Sequence, residues 1–175
     1  MRKFILQLSL PILFPYLIIF AIICVFSGFL MESVFQNNAF VLLLFLFVVY
    51  FAALISTVFF IVTKLYKRQS ALEMTKVSMV IKLIHIPAYV VIFIMGSFSF
   101  VAIFTIPFVL FFFIFDCMTI FLTGLIGASG IIQGVREEKV IKISAIIHGI
   151  LQFMFCVDVI SAVIIHRRIK LAATR

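Results

Sequence analysis

Between Leu83 and Ile132 the chain runs for about 50 residues with almost no polar side chain. That is enough for two helical crossings of an about 30 Å hydrocarbon core, which need roughly 40 residues. Three more apolar runs accompany it, at about 4–31, 39–63 and 144–165. Hydrophobic residues make up 66% of the chain and charged residues 11%, against roughly 45–50% and about 25% in soluble domains. A chain of 175 residues cannot bury that much apolar surface in a core of its own. The excess must face lipid or a partner. The expected fold is all-α, a polytopic transmembrane helical bundle forming a single domain.

Backbone groups in lipid must be paired within the segment, so each run reads as helix. The basic start of the first run imitates a signal peptide, but the apolar stretch outruns an h-region and no A-x-A site follows. It reads as a retained helix. Pro11 and Pro15 in its first half require a kink or a local repair. Asn37 or Asn38 can cap the second run. Ser70 and Glu73 fit a capping box that opens a helix near Ala71, and Leu72, Met79, Val80 and Leu83 share one face of it. This pattern predicts a cytoplasmic amphipathic helix over about 71–82, lying along the membrane surface. A short span over about 81–96 follows, then a turn near Gly96–Ser99 and a long span over about 100–132. The charged turn GVREEKVIK leads to the last run, and a basic tail closes the chain.

Five crossings with a cytoplasmic N-terminus place ten Lys and Arg inside and leave the tail's four outside, which favours this orientation over its reverse. Six crossings are an alternative, as are four plus a re-entrant last segment, which would bring all 14 basic residues to one side. Insertion of 100–132 is favourable by about 6 to 12 kcal/mol, enough to carry Asp116, whereas 144–165 has only about 4 to 7 kcal/mol to offset Asp158, His148 and Gln152. The last run therefore needs neighbouring helices.

Net charge is +8, but the basic residues occupy short gaps between apolar runs rather than a surface stripe. This argues against nucleic acid and for topology signals and anionic headgroups of the lipid bilayer. Another membrane protein or a second copy of the chain are the other expected partners. With no Trp, Tyr16, Tyr50, Tyr66 and Tyr89 are the candidate interfacial anchors. Cys24, Cys117 and Cys156 lie inside apolar runs as small buried residues, without metal-type spacing. His85 reads as a residue of the cytoplasmic interface. His85, His148 and His166 are scattered, and no metal, cofactor or catalytic residue is expected.

Ionisable groups inside a membrane are candidate functional residues because their burial is expensive. Thr105, Asp116, Thr123, Gly127 and Gly130 fall within about 60° on one helix, and Ser144, His148, Gln152 and Asp158 cover about 120° of the last run. Asp116, Asp158, His148 and Gln152 form the candidate intramembrane polar site, for a cation, a proton, a polar solute group or interhelical hydrogen bonds. Gly124, Gly127, Gly130 and Gly134 suit close helix packing through small-xxx-small spacings, or a loosened, cavity-lining stretch.

Three stretches, ALEMTKVSMVIKLIHIPAYVVIF (71–93), DCMTIFLTGLIG (116–127) and LQFMFCVDVISAVII (151–165), resemble a family of small uncharacterised polytopic membrane proteins of Firmicutes, over about residues 65–170. The resemblance implies a bacterial cytoplasmic membrane and no catalytic activity. The first functional reading is a transport component or transporter-associated subunit. The alternatives are a scaffold, assembly or immunity protein that binds another membrane protein, and a membrane-embedded lipid-modifying enzyme using His148 with an Asp.

Overall fold

A computed structural model describes residues 7–99 and 106–174. Regular structure among them is helical throughout: α1 (Ser9–Phe26), α2 (Gly28–Phe35), α3 (Ala39–Tyr66), α4 (Ala71–Phe98), α5 (Ile106–Arg136), α6 (Lys142–Leu151) and α7 (Val157–Ala173). Four of these, α1, α3, α4 and α5, are long and apolar enough to cross a membrane. The first run ends earlier than its apolarity suggests. Ser27 breaks it, and the Ser27 hydroxyl accepts the Leu30 N–H at 3.4 Å to start the short α2. Asn38 caps α3, its Oδ1 accepting the Phe40 N–H at 2.9 Å. α3 is the outermost helix, with only 17% of its apolar window buried, so most of its Phe and Val side chains are left to lipid.

The segments expected as a surface helix over 71–82 and a short span over 81–96 are one continuous helix of 28 residues. The reason lies in which face turns inward. Thr75, Ser78, Lys82, His85 and Tyr89 recur at alternating spacings of three and four, and all five are buried. Leu83, Ile84, Ile86 and Val90 point outward. In a lipid solvent the polar stripe is the one that must be covered, so the amphipathic pattern is inverted relative to a surface helix.

Proline removes a backbone donor and frees the carbonyl four residues earlier. Three such defects lie in α1 and α4, and at each a side chain from a neighbouring helix bonds a carbonyl at or beside the freed position. Pro11 leaves the Gln7 carbonyl free, and the Ser56 hydroxyl of α3 donates to it. Pro15 cannot serve the Pro11 carbonyl, and His85 Nε2 of α4 lies 3.2 Å from the adjacent Ile12 carbonyl, with the Pro11 carbonyl a further partner. Pro87 disturbs α4 near Ile84, whose carbonyl accepts from the Tyr16 hydroxyl of α1. His85 is thus a fully buried repair residue, not an interfacial one. Tyr16 and Tyr89 are likewise interhelical rather than interfacial anchors, since Tyr89 is buried. Cys117 and Cys156 are exposed, contrary to the burial expected of them; only Cys24 is buried.

The last apolar run does not form one long helix. It divides into α6 and α7, of 10 and 17 residues, about 15 and 25 Å long. The two run antiparallel: Arg168 Nη1 donates to Ser144 Oγ at 2.9 Å, and His148 Nδ1 lies 2.9 Å from Ser161 Oγ. The open end of this hairpin lies at one end of the bundle. There, Thr75 meets His166 at 3.3 Å, and Ala71 packs with Ile131, Val140, Ile165 and Ile169. The α3–α4 turn, the α5–α6 turn and the C-terminal end of α7 therefore share one end, and with them nearly all described Lys and Arg.

The capping box at α4 is half formed. Ser70 Oγ accepts the Glu73 N–H at 3.4 Å, but Glu73 takes its own bond from Gln69. The Ala71 N–H is served instead by Glu137 Oε1 at 2.7 Å, across the bundle end. Partial burial alone would push the Glu137 carboxyl up, yet bonds from the Lys139 ammonium and the Ala71 N–H hold it below the usual carboxylate range. A depressed folded-state value contributes stability above the unfolded value of about 4.3, lost as pH falls through the folded one. Glu137→Gln should thus lower the unfolding midpoint in detergent at pH 7, and the gap to the parent should close below about pH 4. A gap that does not change with pH would contradict this account. Single cysteines introduced at Glu138 and Thr174 in a cysteine-free chain should react with an impermeant maleimide from the same face of sealed vesicles. Labelling from opposite faces would refute the hairpin.

Candidate functional site

Lys82 lies eleven residues beyond Ala71, about 16 Å along α4, near the middle of an about 30 Å core. Its ammonium is 2.7 Å from Asp158 Oδ2, with both side chains 0% exposed. It also donates to the Gln152 carbonyl at 3.2 Å. That carbonyl is free because the helix stops there: residues 152–156 form the non-helical tip of the α6–α7 hairpin. Cys156 adopts the left-handed conformation at φ 62°, and Asp158 follows in the first turn of α7. The hairpin tip thus presents a carboxylate and a helix-terminal carbonyl to one cation, the arrangement such a charge needs away from water.

A second layer surrounds the pair. Gln152 Nε2 donates to Ser161 Oγ at 3.2 Å, and Ser161 in turn meets His148 Nδ1 at 2.9 Å. Asp158 Oδ1, Gln152 Oε1 and Ser78 Oγ are buried without a hydrogen-bond partner among the described residues. The site therefore has spare polar capacity at its centre. Asp158, Gln152 and His148 lie in one cluster, built from the two antiparallel helices of the hairpin rather than from one face of a single helix. Ser144 stays at the hairpin's open end with Arg168. His148 meets Ser161, and no bond joins it to an Asp, so the His–Asp pairing behind the enzyme reading is not formed.

α5 is helical from Ile106 to Arg136, so its glycines do not loosen it. They are where the hairpin and α4 approach most closely. A Cβ at Gly127 would lie 2.2 Å from Gln152 Oε1, at Gly124 2.7 Å from the Phe153 ring, at Gly130 2.9 Å from Thr75, and at Gly134 2.9 Å from Val140. Gly124 and Gly127 therefore make the bed in which the tip of the hairpin lies, while Gly130 and Gly134 admit α4 and the open end of the hairpin.

Asp116 does not join this cluster. It lines a separate cavity of about 280 Å³ with Phe93, Phe112, Phe113 and Phe155, and its Oδ1 is buried with no hydrogen-bond partner among the described residues. Thr105, assigned to the same stripe, lies outside the described residues. Sequence reasoning missed Lys82, counting it as a topology signal. The spacing of Thr75, Ser78, Lys82, His85 and Tyr89 was the available sign that it belongs to one polar stripe of α4.

The sequence profile of a family of unknown function (DUF6652) matches residues 3–171, a wider span than the three familiar stretches. No curated protein and no solved structure matches the chain.

Removing one partner of a buried pair leaves an uncompensated charge, which costs about 3–5 kcal/mol. Asp158→Asn alone and Lys82→Gln alone should each lower the unfolding midpoint sharply, while the double variant should recover most of the loss. Equal, additive losses would show that the two charges are not coupled. Gly124→Ala should also destabilise, because the Gln152 backbone 3.0 Å away cannot swing aside as a side chain can.

Proposed function

We propose that this chain, which belongs to that family of unknown function, is a proton-coupled transport component of a bacterial cytoplasmic membrane, with Lys82 and Asp158 at its working centre. One observation carries the reading: an apolar run breaks halfway through the bundle, and the break delivers a carboxylate and a free carbonyl to a lysine with 0% exposure. Broken helices at mid-membrane depth characterise transporter sites, because irregular backbone survives there only where it lines a site or cavity. Ionisable groups at that depth mark ion and proton routes.

The chemistry follows from the pair. The Lys82 ammonium fills the place of a bound cation but is tethered. A proton arriving on Asp158 cancels the carboxylate and weakens its hold on Lys82; loss of that proton restores it. Gln152, Ser161 and His148 supply a hydrogen-bonded chain from the pair along the hairpin. The basic end of the bundle faces the cytoplasm in this reading, which puts the N-terminus, the C-terminus and both charged turns inside. Anionic headgroups meet that end, where Arg136 borders an apolar groove between α5 and α6.

The test is proton movement into vesicles. The purified chain is reconstituted with an internal pH dye, and a potential is set with potassium and valinomycin. The parent should move protons severalfold faster than protein-free vesicles. The Lys82→Gln, Asp158→Asn double variant, which keeps the site neutral and folded, should not. A parent rate equal to the protein-free rate would overturn the reading and favour a scaffold, and an undiminished rate in the folded double variant would overturn the role of the Lys82–Asp158 pair.

A further inference from the structure

We infer that the cavity beside Asp116 is a binding site for a small organic ammonium cation. The site is distinct from the Lys82–Asp158 cluster, and the inference concerns equilibrium binding, so it stands whether or not the chain transports anything.

Asp116 lies ten residues beyond Ile106, about 15 Å along α5, far from either polar end. Its Oδ1 has no hydrogen-bond partner among the described residues, a costly state for a carboxyl group in an apolar setting. The surrounding walls are apolar, with four phenylalanines beside Ile92, Val109 and Ile120. Phe112 and Phe113 come from α5, Phe93 from α4 and Phe155 from the hairpin tip. Phe93 and Phe155 stack with centroids 6.4 Å apart and planes 24° from parallel, and Tyr89 meets the edge of Phe155 at 5.9 Å. An acid set among several aromatic rings in an apolar cleft suits alkylated ammonium groups, whose positive charge is drawn to ring faces.

The same walls argue against other ligands. A hard metal ion needs six or more oxygen ligands, or several waters, and the lining offers the Asp116 carboxylate and the Ser97 hydroxyl. An anion would meet Asp116. A neutral apolar molecule would leave the carboxyl unpartnered. The volume of about 280 Å³ falls at the small end of ligand pockets, about 300–1,000 Å³, which restricts the ligand to a compact amine. Phe93 and Phe113, 61% and 64% exposed, stand at the lipid-facing side between α4 and α5, so an amphiphilic cation has a route in from the bilayer.

The probe is benzyltrimethylammonium, with neopentylbenzene as its neutral counterpart of the same shape. Titrated into the full chain in nanodiscs, the cation should bind saturably at one site per chain, above the uptake of empty nanodiscs, and the neutral counterpart should not. Asp116→Asn should weaken binding by at least about tenfold, and Phe155→Leu by about 2- to 30-fold. A readout that needs no altered site uses Cys117, which is exposed and borders the cavity. In a chain with Cys24 and Cys156 replaced by serine, saturating cation should slow Cys117 alkylation severalfold. Binding no greater than in empty nanodiscs, an unchanged affinity in folded Asp116→Asn, or unprotected Cys117 would each overturn the inference.

Discussion

The Lys82–Asp158 pair is the constraint on which the rest of the structure depends. Neither charge tolerates lipid alone, and desolvating both is offset only when geometry and extra hydrogen bonds are good. Asp158 belongs to a run whose insertion is marginal, and Lys82 to a helix whose polar stripe would otherwise face hydrocarbon. Bringing them to 2.7 Å settles both problems at once. It also fixes how far the hairpin reaches, because the Gln152 carbonyl must stop where Lys82 can use it. The bed for the tip follows: glycines on α5 where any side chain would strike Gln152 or Phe153.

The same logic of unpaired groups explains how α1 sits against α3 and α4. A proline in a soluble helix can leave a carbonyl to water, but one in lipid cannot. Ser56, His85 and Tyr16 reach across to carbonyls at or beside those positions. The contacts between α1 and its neighbours are thus sited by backbone defects as well as by packing of Phe14, Ile18 and Leu46. Polar contacts of this kind also give orientation, which greasy surfaces alone do not provide in a greasy solvent.

Two polar sites result, with different character. The hairpin cluster is buried, with charges that cancel. The Asp116 cavity is partly open to the lipid side and carries an acid without a counterpart. Phe155 at the hairpin tip borders the second while Gln152 and Asp158 of the same tip build the first. Any movement of the tip would act on both.

Runs of apolar residues fixed the helical class, because lipid leaves the backbone no other way to pair itself within a segment. They also placed α3 and most of α1 and α5, marked the caps at Asn38 and Ser70, and singled out Asp116, Asp158, His148 and Gln152 as expensive residues. Tertiary structure alone decided the rest. A last segment that turns back was one of the alternatives left open by the basic residues, but nothing in QFMFC, with neither Gly nor Pro, marks where the run breaks; the carbonyl freed there is the one Lys82 uses. Lys82 itself looked like a topology charge because the local pattern cannot distinguish a stripe facing water from one facing a bundle interior. Which face turns inward depends on whether a counter-charge exists across the bundle, and that is a property of two helices packed together, not of either one's sequence.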